Sequence, residues 1–167
     1  MEFWDIYDAN KQKTGRTMKR NDWCLKDGEY HLTVLGVIRR KDGRYLITQR
    51  VMTKSWAPGW WEVSGGGVMA GEESKEAVMR EVLEETGIHI DIIDGFCSES
   101  QYKIGAKIEK RVDVFLGSTE DTQTVIQKEE IEDYIWLRYP EAFNMLKFEN
   151  DKEILSDVRQ FMLEHAI

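Results

Sequence analysis

Residues 66–88 read GGVMAGEESKEAVMREVLEETGI, and the rest of the chain is best read outward from this stretch. Its second half is a helix pattern. Ser74 to Thr86 holds neither glycine nor proline, acidic Glu72 and Glu73 stand at its start, and Gly87 lies just past its end. On a helix turning about 100° per residue, Glu81, Glu84 and Glu85 share one face. Val78, Met79, Val82 and Leu83 take the neighbouring arc and are expected to pack. Three carboxylates side by side repel one another, so the face is either solvated, as on many Glu-rich helices, or neutralised by cations. Two features favour cations. Arg80 adjoins the cluster and can orient or neutralise a carboxylate. Upstream, Gly65-Gly66-Gly67 is expected to break regular structure, letting backbone groups approach a ligand closely. Oxygen-only ligation of this kind suits a hard ion, Mg²⁺ or Mn²⁺.

On either side, strands and helices mix. Residues 3–8 read as a short strand, with a return strand over 16–19. Leu32 to Ile38 is apolar and β-branched, and Lys41-Asp42-Gly43-Arg44 turns it into a second strand at Tyr45 to Thr48. Further strands are expected at 60–64, 90–96, 98–104, 108–116 and 132–137, and helices at 141–148 and 151–165. The last carries Ile154, Leu155, Val158, Phe161 and Met162 at helical spacing. The pattern predicts an α/β or α+β domain with helices packed on a mixed sheet.

The spacing Gly66-x5-Glu72-x7-Arg80-Glu81-Val82-x-Glu84-Glu85-x-Gly87-Ile88 matches the signature of the Nudix hydrolases at all nine fixed positions. The resemblance runs over about residues 32–145. Tyr45 to Arg50 resembles the family's strand before the signature, Trp60-Trp61-Glu62-Val63 its tryptophan-containing lead-in, and Ile131 to Glu141, with Trp136, its last strand and the following helix start. Ser64 departs from it, where many members have proline. The resemblance implies an α/β/α sandwich with a mixed β-sheet and metal-dependent hydrolysis of a nucleoside diphosphate linked to another group. Carried over by position, Glu81 and Glu85 are implied metal ligands, with Glu84 a third ligand or the base. The Gly65 carbonyl is a further implied ligand. Arg80 and Glu72 are implied to orient the glutamates. A base outside the signature falls on Glu130, six residues before Trp136, with Glu129 and Glu132 as alternatives and a plain charged loop as the other reading.

Residues 4–64 also resemble isopentenyl-diphosphate isomerase, in WDIYDANKQKTGR, in Tyr30-His31-Leu32 and in GRYLITQRVMTKSWAPGWWEVS. The isomerase's catalytic cysteine and a metal-binding histidine fall, by position, on Gly65 and Gly67. A further histidine is missing from Asn21 to Leu25. The isomerase chemistry therefore lacks its side chains, while the hydrolase set is whole. His31 remains, as a structural histidine at a strand start or as a retained contact. The readings from other classes are an isomerase-like enzyme and a non-catalytic nucleotide sensor.

For the substrate, Trp56 and Trp60 flank Pro58-Gly59 in a loop, and Tyr102 lies on a later strand. Such rings can stack a base or can simply pack, as Trp61 is expected to do. Arg50 and Lys54 can meet a phosphate or stay solvated. Lys103, Lys107, Lys110 and Arg111 are expected to decorate a hairpin, His89 and His165 to be incidental, and Cys24 and Cys97 to pack.

The whole chain sets the outer bounds. It has 167 residues, 41% hydrophobic and 32% charged, which fits one globular domain. We divide it into an N-terminal extension over 1–30, a core over 32–145 and a C-terminal helix over 151–165. The formal net charge of −8 argues against coating a nucleic-acid polymer or an anionic membrane, but a metal ion can bridge an acidic site to a small diphosphate. Met1 to Asp5 lacks a secretory pattern, and two cysteines give neither a disulfide framework nor zinc spacing, so the cytoplasm is the expected setting. A homodimer is left open, with the N-terminal hairpin as a candidate interface or lid.

Overall fold

A computed structural model describes residues 2–96, 98–104 and 108–167. Cys97 and Lys107 lie outside the described residues. The central strand β3 (His31–Arg40) alternates its faces, as a strand buried on both sides must. Leu32, Val34 and Ile38 pack against Ala77, Val78 and Val82 of helix α1 (Ser74–Thr86). Leu35 and Val37 face the other way, toward Ala142 of α2 (Tyr139–Met145) and Leu155 and Val158 of α3 (Glu149–Glu164). The layers are therefore α/β/α.

The sheet has eight strands. Its main order is β10 (Ile131–Leu137), β4 (Tyr45–Arg50), β3, β9 (Ile108–Thr119) and β7 (Asp91–Ile92). Strand β5 (Trp61–Glu62) joins β4, β6 (Ser64–Gly67) joins β3, and β8 (Ser98–Ile104) joins β9. The β3–β9 pair is parallel and the other pairs are antiparallel, so the sheet is mixed. The hairpin of β3 and β4 pairs at Arg39–Tyr45 and then splays. Strands β5 and β6, with Val63 between them, line the gap.

Several details differ from expectation. Gly65, Gly66 and Gly67 do not interrupt the chain but form β6, with Gly67 opposite Thr33 and Gly65 opposite Leu35. They are glycines because the neighbours are too close. A Cβ on Gly65 would stand 2.2 Å from the Val34 carbonyl oxygen, and one on Gly66 2.3 Å from Cδ of Glu81. Met79 and Leu83 are each 41% exposed rather than packed. Helix α1 sits down on Gly36, whose absent side chain admits Val78, and its buried residues are Ala77, Val78, Val82 and Thr86. Helices α2 and α3 each begin two residues earlier than expected, Pro140 being accepted in the first turn, where its missing N–H costs nothing. Cys24 is exposed, not packed.

The N-terminal hairpin, β1 (Phe3–Tyr7) with β2 (Lys13–Lys19), is a separate two-stranded sheet with its own small core of Trp4, Ile6 and Met18. It is fastened to the domain. Tyr7 and Tyr30 exchange backbone hydrogen bonds, and Ala70 N–H donates to the Phe3 carbonyl at 2.8 Å. Among the described residues no helix is long and apolar enough to cross a membrane.

Candidate active site

The turn before α1 and the helix itself are locked together by one arginine. Arg80 grips Glu72 with two bonds, Nε to Oε2 at 2.7 Å and Nη2 to Oε1 at 2.9 Å. Its Nη1 reaches Glu81 at 3.1 Å and Glu84 at 3.2 Å, and its Nη2 also donates to the Gly67 carbonyl at 3.1 Å. Glu72 accepts the Met69 N–H as well, and both effects hold its carboxyl below the usual range. A planar fork making bidentate and bridging contacts fixes direction as well as charge. The helix, the preceding turn and β6 are thereby held in register.

Beside this network lies a cavity of about 820 Å³ in the splay between β3 and β4. Gly65, Glu81, Glu84 and Glu85 line it from one side. Glu84 is largely exposed, whereas Glu81 and Glu85 are half-buried. Burial, then the charges of Glu84 and Glu2, push Glu81 up to about 7 against the opposing pull of Arg80. Burial, with Glu81, Glu62 and Glu130 nearby, raises Glu85 well above an ordinary carboxylate. Gly66 makes room for all this, since any side chain there would collide with Glu81.

Cations and rings line the cavity as well. Arg50 donates to the Trp56 carbonyl at 3.2 Å, pairs with Glu62 at 3.4 Å and lies over the Trp56 ring at 5.2 Å. Lys54 pairs with Glu130, and both line the cavity. Trp56, 52% exposed, packs 5.1 Å from Phe148, and Trp60 packs 4.8 Å from the same ring. Tyr102 lines the cavity from β8, where burial raises its phenol pKa. Of the candidate site residues named from the sequence, Glu72, Arg80, Trp60, Glu129 and Glu132 are not among those that line it.

Several lining residues escaped the sequence reading. Asp151, 6% exposed, accepts the Val63 N–H at 3.2 Å, and burial lifts it to about 6. Glu62 is lifted to about 7 by burial and then by Asp151, against the pull of Arg50. Lys110, expected on a hairpin surface, is half-buried and lowered by burial and by Arg50. Trp4 and Trp23 enter from the N-terminal extension. No spacing rule marks these residues, because they converge from four separate elements and the loop after β2.

Among the described residues no three His, Cys, Asp or Glu side chains close around one point as a ready-made metal cage. The set nonetheless fits a divalent ion. Mg²⁺ is usually held by one or two carboxylates, with water and substrate phosphate completing the shell, and Glu81 and Glu85 are crowded carboxylates that a cation would relieve.

Comparison with known proteins agrees with this architecture. A NUDIX domain is matched over residues 29–158. The chain belongs to the Nudix hydrolase family. An uncharacterized Nudix hydrolase of Listeria monocytogenes is 36% identical over 137 residues, covering 80% of this chain and 78% of the relative. The nucleoside triphosphatase NudI of Salmonella arizonae is 30% identical over 119 residues, 66% of this chain and 84% of that protein. In fold, the Ap4A hydrolase of C. elegans superposes with a TM-score of 0.69 at 21% identity, over 80% of this chain and 98% of that one. The Nudix signature is the segment 66–88, and in this member it forms the end of β6, the following turn and α1.

Proposed function

We propose that the protein is a Mg²⁺- or Mn²⁺-dependent pyrophosphohydrolase that cleaves the diphosphate linkage of a nucleoside diphosphate derivative. The observation that carries this reading is the Arg80 network, which directs Glu81 and Glu84 along the edge of a cavity that Arg50 and Lys54 also line. Glu81, Glu85 and the Gly65 carbonyl would hold the metal, with Glu84 a third ligand or the base. Bound there, the ion would supply charge neutralisation of the diphosphate and would acidify an attacking water. The chain's own residues do the rest. Arg80 and Glu72 keep the glutamates aimed. Arg50 and Lys54 meet phosphate oxygens, and Lys54 also pairs with Glu130, a base candidate. Trp56, packed at a tilt against Phe148, offers the first base a platform, and Tyr102 lines the same cavity. Phosphoryl transfer asks little more than such positioning and charge.

Cytosolic residence belongs to the same reading, consistent with an exposed free thiol at Cys24. So do a small-molecule substrate instead of a nucleic-acid polymer, and the division at residues 30 and 151. The test is a panel of nucleoside triphosphates, dinucleotides and nucleotide sugars incubated with and without Mg²⁺. Metal-dependent release of phosphate, pyrophosphate or a nucleotide from at least one compound is expected, with no solvent deuterium entering isopentenyl diphosphate. Deuterium exchange without any anhydride cleavage would replace this reading by the isomerase one.

A further inference from the structure

The cavity has a second aromatic corner that the reading above does not use. It stands on the β3–β6 side, across the β5–β6 segment from Trp56 and Phe148. Strand β3 presents His31 and Thr33, two residues apart and so on one face, to the cavity. His31 is 1% exposed, and neither of its ring nitrogens has a hydrogen-bond partner among the described residues; nor does the buried Thr33 hydroxyl. Native proteins pair nearly all such groups, so unpaired ones that face a cavity point to a ligand. Burial, then the charge of Lys110, lowers His31 to about 3, which leaves a neutral ring with one donor and one acceptor.

The rest of the corner comes from outside the matched residues 29–158. Trp4 stacks on the imidazole with centroids 3.9 Å apart, and Trp23 meets it edge-on at 5.4 Å. Trp23 is held at φ 52° and Asn21 at φ 69°, left-handed values that a bulky aromatic residue rarely adopts. The wall is anchored, since the Asp5 carboxylate accepts the Gly71 N–H at 2.8 Å in addition to the backbone bonds from Tyr7 and Phe3. Lys110 of β9 lies opposite His31 in register and over the Trp23 ring at 5.1 Å.

We propose that Trp4, Trp23, His31 and Thr33 form a second ring subsite, which takes a planar heterocycle at the far end of a two-ended substrate. The first base lies on Trp56 and Phe148, and Lys110 meets an oxygen of the second ring or of the adjoining phosphate. A heterocycle edge with both a donor and an acceptor satisfies a neutral imidazole and a hydroxyl. An alkyl or prenyl chain would leave them unpaired. This inference rests on the diphosphate-cleaving reading of the site, and it narrows that reading to substrates with a ring at each end.

The test measures binding with Mg²⁺ present, using two non-hydrolysable methylene-bridged probes: a dinucleoside tetraphosphate and the triphosphate of the same nucleoside. His31→Phe keeps an aromatic ring and removes both nitrogens, and because the larger ring must fit a full site its melting temperature can fall by a few degrees without loss of the fold. It should weaken the two-ended probe by about tenfold more than the one-ended probe. Trp23→Ala should show the same preference. Equal losses for both probes, no loss for either, failure of both probes to bind, or tighter binding of a prenyl diphosphate analogue would overturn the subsite. Turnover of the unmodified compounds is read separately. Binding with the expected preference but no Mg²⁺-dependent cleavage would sink the hydrolase reading and leave the subsite standing.

Discussion

Glu85 illustrates how a single side chain can serve the reaction at the expense of the fold. It sits half-buried among Glu81, Glu62 and Glu130, and burial and these charges all disfavour its ionised form. A group held in such surroundings is one that the empty fold would be better without. Replacing it by Gln keeps the shape and removes the charge. If Glu85 holds a catalytic metal, Glu85→Gln should lower kcat by about 10²–10⁴, equivalent to a few kcal/mol of transition-state stabilisation. In chelator at pH 8 the same variant should melt no lower than the parent. Steady-state kinetics and a thermal melt check both halves. Near-normal turnover would remove Glu85 from the site, and a large fall in melting temperature would mean that the carboxylate has a structural partner.

At the scale of elements, the neighbouring glycines of β6 make different demands. A Cβ on Gly66 meets the Glu81 carboxylate, the movable end of a side chain, whereas one on Gly65 meets the backbone of Val34. Gly66→Ala should therefore leave stability within about 0.5 kcal/mol, but displace Glu81 and cost about 10–100-fold in metal affinity, as loss of a ligand's support commonly does. Gly65→Ala should force β6 from β3, costing at least about 2 kcal/mol, or roughly 5 °C in melting temperature. Titration with Mn²⁺ and a melt of each variant separate the two effects. The contrast also shows what was legible in the sequence. Helix α1 was readable to the residue, because its start, glycine stop and carboxylate face are local signals. The three glycines were readable as a place of close approach but not as a strand, because the atoms that exclude their side chains come from β3 and α1. Met79 and Leu83 failed for a related reason. Helical periodicity marks an apolar arc but not how much of it the sheet reaches. Asp151, Glu62, Lys110 and the two N-terminal tryptophans carry no motif, and only the fold brings them to one cavity.

At the scale of the whole molecule, the cavity ties folding stability to pH and to metal. Glu81 and Glu62 titrate near 7 and Asp151 near 6 in the folded chain, above their ordinary values of 4.5 and 3.8. A carboxyl raised on folding binds its proton more tightly in the folded state. Its contribution to stability is full below the unfolded pKa and is lost as pH rises through the folded one. His31 works in the opposite sense. Its folded value is lowered from 6.5 to about 3, so its contribution is full above 6.5 and lost as pH falls through 3. Between pH 6.5 and 8 His31 is therefore nearly silent, while Glu81 and Glu62 each lose about 1 kcal/mol. The metal-free protein should melt a few degrees lower at pH 8 than at pH 6.5. Magnesium reverses the sign of the problem, because it binds the carboxylate form that protons otherwise oppose. Stabilisation by millimolar Mg²⁺ should be larger at pH 8 than at pH 6.5, by mass action on the folded state alone. Melts in chelator and in Mg²⁺ at the two pH values check this, with Glu81→Gln as the control that roughly halves the metal-free trend and weakens the Mg²⁺ shift. A metal-free melting temperature that climbs from pH 6.5 to 8, or a Mg²⁺ shift that does not depend on pH, would show that these carboxylates are not what the ion meets.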